Sequence, residues 1–382
     1  MRFVDRYAGV PFCWFMGLLY RFIGVFSTVK PHERVKNILV VKFFGLGSIV
    51  LATPALTLMK QSFPQARITF LSFHQNKELL ERFSAIDKVI TVDRSSALRF
   101  VTSTFEALRA ITSTEPEICF DLEFFSKFST LLSGFSRARI RVAFQLPTRW
   151  RSAIVTHQVP IDKNRHVIHS FCNQVLSVTN HSRELPQVVG PRIDETDHTS
   201  LLAKLPIKGK RLIAVNINAG DTYLERRWPV ERFSELVSRL ADEDDSVFCF
   251  TGSIKDSAYV RDAIQRTGRA GRCVDASGKL TIPELGALMQ RSDLLISNDS
   301  GPLHLASSLG TRTLGLYGPE SPEFYGPTHA ESQIIYQSLS CSPCMNIYAA
   351  KQFRCPHNAQ CMREITVEEV FQRVQSQVPV EA

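Results

Sequence analysis

Ser297-Asn298-Asp299-Ser300-Gly301-Pro302-Leu303-His304-Leu305-Ala306-Ser307-Ser308-Leu309-Gly310 is the stretch from which the fold can be read. Asp293-Leu294-Leu295-Ile296 leads into it, an apolar run of the kind a buried strand requires. Asn298, Asp299, Ser300 and Gly301 break that run, because each favours a turn or a helix cap. Leu303, Leu305, Ala306 and Leu309 follow at helical spacing, Gly310 closes the helix, and Thr313-Leu314-Gly315-Leu316-Tyr317-Gly318 is the next strand. Strand, polar turn, helix and strand in that order make one unit of a parallel α/β sheet. The turn places backbone N–H groups at a helix N-terminus, which suits a phosphate or another anion. Asp299, Ser300 and His304 are expected around that point.

The same alternation extends in both directions. Upstream, Arg211-Leu212-Ile213-Ala214-Val215-Asn216-Ile217-Asn218-Ala219-Gly220 is a strand and a glycine turn, and Arg226-Arg227-Trp228-Pro229 opens a helix near 230–242. Val247–Ser253 is a strand and turn, a helix follows across 256–267, Cys273-Val274-Asp275 is a short strand and Ile282–Gln290 a helix. A first alternation begins at Asn37-Ile38-Leu39-Val40-Val41, then Lys42-Phe43-Phe44-Gly45-Leu46-Gly47-Ser48 and a helical pattern from Ile49 to Phe63. There the glycines allow close backbone approach and Ser48 is expected to cap the helix. Arg67–Leu71, Lys88–Val92, Ile118–Leu122 and Arg139–Phe144 are further strands, with helices near 96–112, 126–135 and 165–182.

Strands alternating with helices imply parallel sheets covered on both faces. The 382 residues exceed one ordinary core. The reading is therefore two α/β domains, at 31–190 and 205–365, with a C-terminal helix at 366–382. The interdomain linker is expected in 183–210, a polar stretch punctuated by Pro186, Pro191 and Pro206. Ligands in such sheets bind at the carboxyl ends of the strands. Gly45–Ser48, Asn218–Gly220, Thr251-Gly252-Ser253 and Asn298–Gly301 all fall there.

Composition narrows the partners. A net charge of +8 points to anionic partners such as nucleotides or phosphorylated lipid headgroups. No basic run with interleaved aromatics argues for nucleic acid. Residues 1–30 are rich in Phe, Trp and Tyr and flanked by Arg2, Arg6, Arg21 and Lys30. Arg21 leaves the apolar run too short to span a bilayer. Two readings stand: a helix in the membrane interface, or one packed on the protein body. A secretory signal is the weaker third, so a reducing cytoplasmic setting is expected. Four of the nine cysteines, Cys341, Cys344, Cys355 and Cys361, form a late cluster with His357 inside it. Its Cys-x2-Cys start is compatible with structural zinc, an iron–sulfur site or two disulfides, as a staple of the C-terminal segment.

Taken together, the motifs resemble glycosyltransferase family 9, the bacterial heptosyltransferases of the lipopolysaccharide inner core. The resemblance spans most of residues 37–371. It rests on Asn298–Ala306 with Leu316-Tyr317-Gly318-Pro319 and Tyr325-Gly326-Pro327. It rests further on Thr53-Pro54-Ala55-Leu56 with Phe63-Pro64 and Ile68-Thr69, on Arg226-Arg227-Trp228-Pro229, and on Cys361-Met362-Arg363-Glu364-Ile365-Thr366. It implies a GT-B fold, two Rossmann-like domains facing each other across a cleft. The first would bind a lipid-linked saccharide acceptor at the cytoplasmic face of the membrane, and the second a nucleotide sugar such as ADP-heptose. Transfer would proceed with inversion and without a catalytic cofactor or metal.

On this reading the donor diphosphate meets Arg226, the helix start at Ser300-Gly301-Pro302, Asn218, Gly220, Thr251 and Gly252. Asp299 and His304 position sugar or phosphate. Arg226 stands where the family usually has a lysine, and keeps the charge needed by the leaving group. One departure is sharp. Where the family has Gly-Asp, this chain has Gly47-Ser48, and that aspartate is taken as the general base. Serine does not accept a proton at neutral pH. Asp121 and Glu123 are candidate replacements, and a silent nucleotide-sugar-binding protein is the alternative to an enzyme.

Overall fold

The computed structural model describes residues 35–146, 151–179, 184–207, 211–220, 223–345 and 354–377. The aromatic segment 1–30 lies outside them. The chain divides between Val189 and Gly190 into two units. In the first, β1 (Asn37–Val41), β2 (Arg67–Phe73), β3 (Lys88–Val92), β4 (Ile118–Asp121), β5 (Ile140–Phe144) and β6 (His157–Val159) form one sheet. In the second, β7 (Leu212–Asn216), β8 (Val247–Phe250), β9 (Cys273–Asp275), β10 (Leu294–Asn298), β11 (Thr313–Tyr317) and β12 (Ser332–Tyr336) form another.

Both sheets are parallel throughout. Their orders are β3-β2-β1-β4-β5-β6 and β12-β11-β10-β7-β8-β9. Every residue of β4, β5, β7, β8, β10 and β11 is buried, as apolar strands covered on both faces must be. The two orders are the same path, with the first strand of each unit beside its fourth. The chain direction across the sheet reverses at that pair. Such a switch point leaves a crevice beyond the carboxyl ends of the two strands. The crevices therefore lie at β1/β4 and at β7/β10.

Two local readings change. The helix expected from Ile49 to Phe63 is two helices, Leu46–Val50 and Thr53–Ser62. Pro54 has no N–H for the carbonyl of Val50, and the Thr53 hydroxyl takes that carbonyl instead at 2.8 Å. Gly45, at φ +82°, is the N-cap of the first helix. Ser48 therefore sits inside the helix and does not cap it. The stretch 183–210 also holds a helix, Glu195–Lys204, started by reciprocal Asp194/Asp197 capping. Its Leu201 packs with Ala287 and Leu288 in the second unit. The closing helix, Val367–Gln377, buries Val370, Phe371 and Val374 in the core that also contains Trp228 and Phe233.

Candidate active site

At the second switch point, amides and hydroxyls tie β7 to β10. Asn216 Nδ2 lies 3.0 Å from Ser297 Oγ and 2.9 Å from Ser300 Oγ. Asn298 Nδ2 donates to the Ile217 carbonyl at 2.9 Å. Ser300 stands at the N-cap of the helix Gly301–Ser308, yet no side chain caps that helix. The Ser300 hydroxyl turns inward to Asn216 and Ser297, at 2.9 Å from each. Buried polar neighbours claim it before the helix can. The leading N–H groups of the helix, those of Gly301 and Leu303 since Pro302 has none, thus stay open to an anion. His304 is buried in the same helix.

The Arg226–Pro229 motif sorts its side chains in different directions. Trp228 is fully buried. Its indole N–H donates to the Ile365 carbonyl at 3.0 Å, and its peptide N–H donates to Asn298 Oδ1 at 2.9 Å. Arg227 lies 3.6 Å from Asp256 and over the Tyr259 ring. Arg226 reaches the site: its guanidinium is 2.9 Å from Asp299 Oδ2 and also hydrogen-bonds the Asp299 carbonyl. Burial raises the Asp299 carboxyl, with Arg226 pulling the other way.

Sequence reasoning missed Glu320, which follows β11 by three residues and is half-buried. Its Oε1 accepts the Ser321 N–H at 3.0 Å. Burial and the nearby Asp299 push its carboxyl up to about 8, against Arg226. Nothing in local sequence marks such a residue, because the charges that act on it come from distant segments.

Three polar atoms here lack a partner among the described residues. Asn218 Oδ1, Thr251 Oγ1 and Arg226 Nε are all buried without a hydrogen bond. Each such atom costs about 1–3 kcal/mol until something meets it. Asn218 Nδ2 donates to the Thr251 carbonyl at 3.0 Å, so two of the three belong to one cluster. Gly252 completes it, since a Cβ there would stand 2.8 Å from Asn218 Nδ2. Gly220, at φ +73°, makes the turn after Asn218.

The first switch point is built from charges. Asp121 is fully buried: Oδ2 accepts Ser129 Oγ–H at 2.9 Å and Thr130 Oγ1–H at 3.2 Å and lies 3.3 Å from Arg151, while Oδ1 accepts the Glu123 N–H at 3.1 Å. Burial raises its carboxyl to about 6, with Arg151 opposing. Both Asp121 oxygens are thus engaged within the protein, and the side chain has no exposure to solvent. Glu123 instead spans the crevice. Its Oε1 accepts the N–H groups of Phe43 and Phe44 at 2.6 and 2.9 Å, and the Lys42 ammonium is 3.9 Å away. Lys42 is buried over the Phe171 and Phe124 rings, and burial lowers its pKa against the pull of Glu123 and Asp121. Ser48 is half-buried and makes no side-chain hydrogen bond among the described residues.

The late cysteines lie near one another, with Cys344 feeling the other three. Cys341, Cys344, Cys355 and Cys361 carry free thiols. Among the described residues no group of three or more His, Cys, Asp or Glu side chains is placed to hold a metal ion. The zinc and iron–sulfur expectations thus gain no support from the described residues. Burial and the three neighbouring cysteines push the Cys344 thiol up to about 11. Cys344 N–H bonds the Pro319 carbonyl at 3.0 Å, and Cys361 is buried in the core of the second unit.

Paired units of this strand order, with polar clusters at their switch points, define a two-domain α/β protein of the GT-B type. A family 9 glycosyl transferase from Veillonella parvula superimposes with a TM-score of 0.75, over 91% of this chain and 98% of that one, at 23% identity. The structure of Escherichia coli ADP-heptose lps heptosyltransferase II gives 0.73 over 89% and 98%, at 18% identity. Among curated relatives, Escherichia coli lipopolysaccharide heptosyltransferase 3 is 22% identical over 294 residues, 74% of this chain and 83% of that protein. The sequence pattern of glycosyltransferase family 9 (heptosyltransferase) matches residues 126–352, more than half the chain, and the chain belongs to that family. Its enzyme class is accordingly that of a glycosyltransferase.

Proposed function

We propose that the protein moves a heptose from an ADP-activated donor to a lipid-linked saccharide of lipopolysaccharide, with inversion and without a catalytic metal. The observation that carries this is the β7/β10 crevice. An uncapped helix start, a guanidinium and three unpartnered buried polar atoms converge at one sheet's carboxyl edge. A nucleoside diphosphate answers each of them. Phosphate oxygens accept from the helix amides and from Arg226, while Asn218 Oδ1 and Thr251 Oγ1 bond donor hydroxyls or base atoms. As the sugar–oxygen bond breaks, charge grows on the departing diphosphate, and Arg226 and the amides are already aimed to hold it. In the free protein Asp299 occupies Arg226, so the donor phosphate competes with a carboxylate for the guanidinium.

The similarity to the Escherichia coli ADP-heptose lps heptosyltransferase II supports the donor. The cysteine cluster is a reduced staple of the C-terminal segment. The acceptor places the protein at the cytoplasmic face of the membrane, held there by residues 1–30. No helix among the described residues is long and apolar enough to cross a membrane. Purified protein with ADP-heptose and lipopolysaccharide from a heptose-deficient strain should release ADP and add one heptose to the core. A protein that binds no ADP in calorimetry and transfers nothing would refute the reading.

A further inference from the structure

We propose that Glu123 is the general base of the transfer, taking the acceptor's hydroxyl proton on Oε2. The inference rests on the glycosyltransferase reading above. It starts from a deficit: the loop Phe43–Ser48, at the crevice of the first sheet, has no side chain that can hold a proton at neutral pH. Two carboxylates lie at the end of the neighbouring strand, and the structure separates them. Asp121 spends both oxygens on Ser129, Thr130, Arg151 and the Glu123 amide, and has no exposure. Glu123 spends only one. Oε1 grips the amides of Phe43 and Phe44, while Oε2 takes no hydrogen bond among the described residues, and the residue keeps an exposure of 6%.

The grip also fixes where Glu123 is. The residue lies two positions past β4, and the amides it holds lie two and three positions past β1. Its carboxylate therefore bridges the two strands that flank the switch point, where a sheet of this order takes its ligand. The groups facing it are known from each side. Lys42 at the end of β1 sits 3.9 Å from Oε1, Asp121 at the end of β4 accepts its N–H, and Arg151 donates to its carbonyl at 3.1 Å. Lys42 lies on the Oε1 side and leaves Oε2 unblocked. In the step itself the acceptor O–H proton moves to Oε2. The freed electron pair forms the bond to the sugar carbon, and the carbon–oxygen bond to the diphosphate breaks with its pair leaving on the diphosphate.

Glu123→Gln separates this role from a structural one. The amide oxygen of Gln can still accept both loop amides, so the loop keeps its clamp, but the side chain no longer takes a proton. With ADP-heptose and heptose-deficient lipopolysaccharide, kcat should fall by roughly 10²–10⁴-fold. ADP affinity and the unfolding midpoint should stay at wild-type values. Adding Ser48→Asp to that variant should restore at least about tenfold, because a carboxylate returns to the same crevice, and the ascending limb of the pH–rate profile should reappear. Glu123→Gln within threefold of wild type overturns the base while leaving the transferase reading intact. Wild-type protein that neither binds ADP nor transfers sugar overturns both.

Discussion

At the end of β4, Asp121 divides its carboxylate among two hydroxyls, a guanidinium and an amide. At the end of β8, the Thr251 hydroxyl is buried and meets nothing among the described residues. The two crevices have the same topology, yet one keeps its charges for itself and the other keeps atoms in reserve. The first is scaffold, with Glu123 Oε2 as the oxygen left without a hydrogen bond among the described residues. On the proposed function, the second is a receptor whose unpartnered atoms are completed by the donor. Substitutions at the two should therefore fail in opposite ways, the first in folding and the second in binding.

Arg151→Ala carries the largest expected effect. It leaves Asp121 as a buried carboxylate without its cation, which typically lowers stability by about 3–5 kcal/mol. Urea unfolding should show that loss with ADP affinity unchanged, and a loss below about 1 kcal/mol would break the scaffold half of the contrast. Arg226→Ala comes next. It removes a charged partner of the donor diphosphate, worth about 1.5–3 kcal/mol, or roughly 10–100-fold in ADP dissociation constant by calorimetry. An unaltered constant would remove Arg226 from the site.

Glu320 gives a smaller effect with a defined sign. Its folded pKa of about 8 lies above the ordinary 4.5. Its contribution to stability is therefore complete below pH 4.5 and is lost as pH rises through about 8. Glu320→Gln should flatten the fall in unfolding midpoint between pH 5 and pH 9, leaving the residual slope set by Asp121 and Asp299. Equal slopes in both proteins would place the carboxyl in solvent. Thr251→Val is the subtlest. Removing an orphaned hydroxyl should raise the midpoint slightly and weaken ADP binding by about 0.5–1.5 kcal/mol. A variant that loses stability and keeps affinity would show that the hydroxyl serves the fold.

The fold was legible because its signals are local. Asp293–Gly310 reads as strand, turn and helix from apolar periodicity and from Gly301 and Pro302 alone, and the helix observed is Gly301–Ser308. Pro54 was equally visible in sequence, but its effect depends on which carbonyl loses a partner, and only the Thr53 hydroxyl bond shows that. The grouping at the β7/β10 crevice was partly legible too. Arg226, Asp299 and Ser300 do converge, although the direction of the Ser300 hydroxyl was not, because Asn216 decides it from 84 residues away. Arg151 was invisible for the same reason. In sequence it belongs to a basic loop, and its burial follows from Asp121, 30 residues earlier. Periodicity reports which face a residue occupies, while pairing between distant buried groups decides whether a carboxylate is free to react.

Trp228 has one more consequence, an optical one. It is one of three tryptophans, lies two residues from Arg226, and is sealed from water against Phe233 with its indole N–H on Ile365. Its fluorescence should lie far to the blue. With Trp14 and Trp150 changed to Phe, the chain would carry a single native chromophore wired to both the donor loop and the C-terminal segment. Its emission would register a nucleotide arriving at Arg226 and, separately, the last helix coming loose.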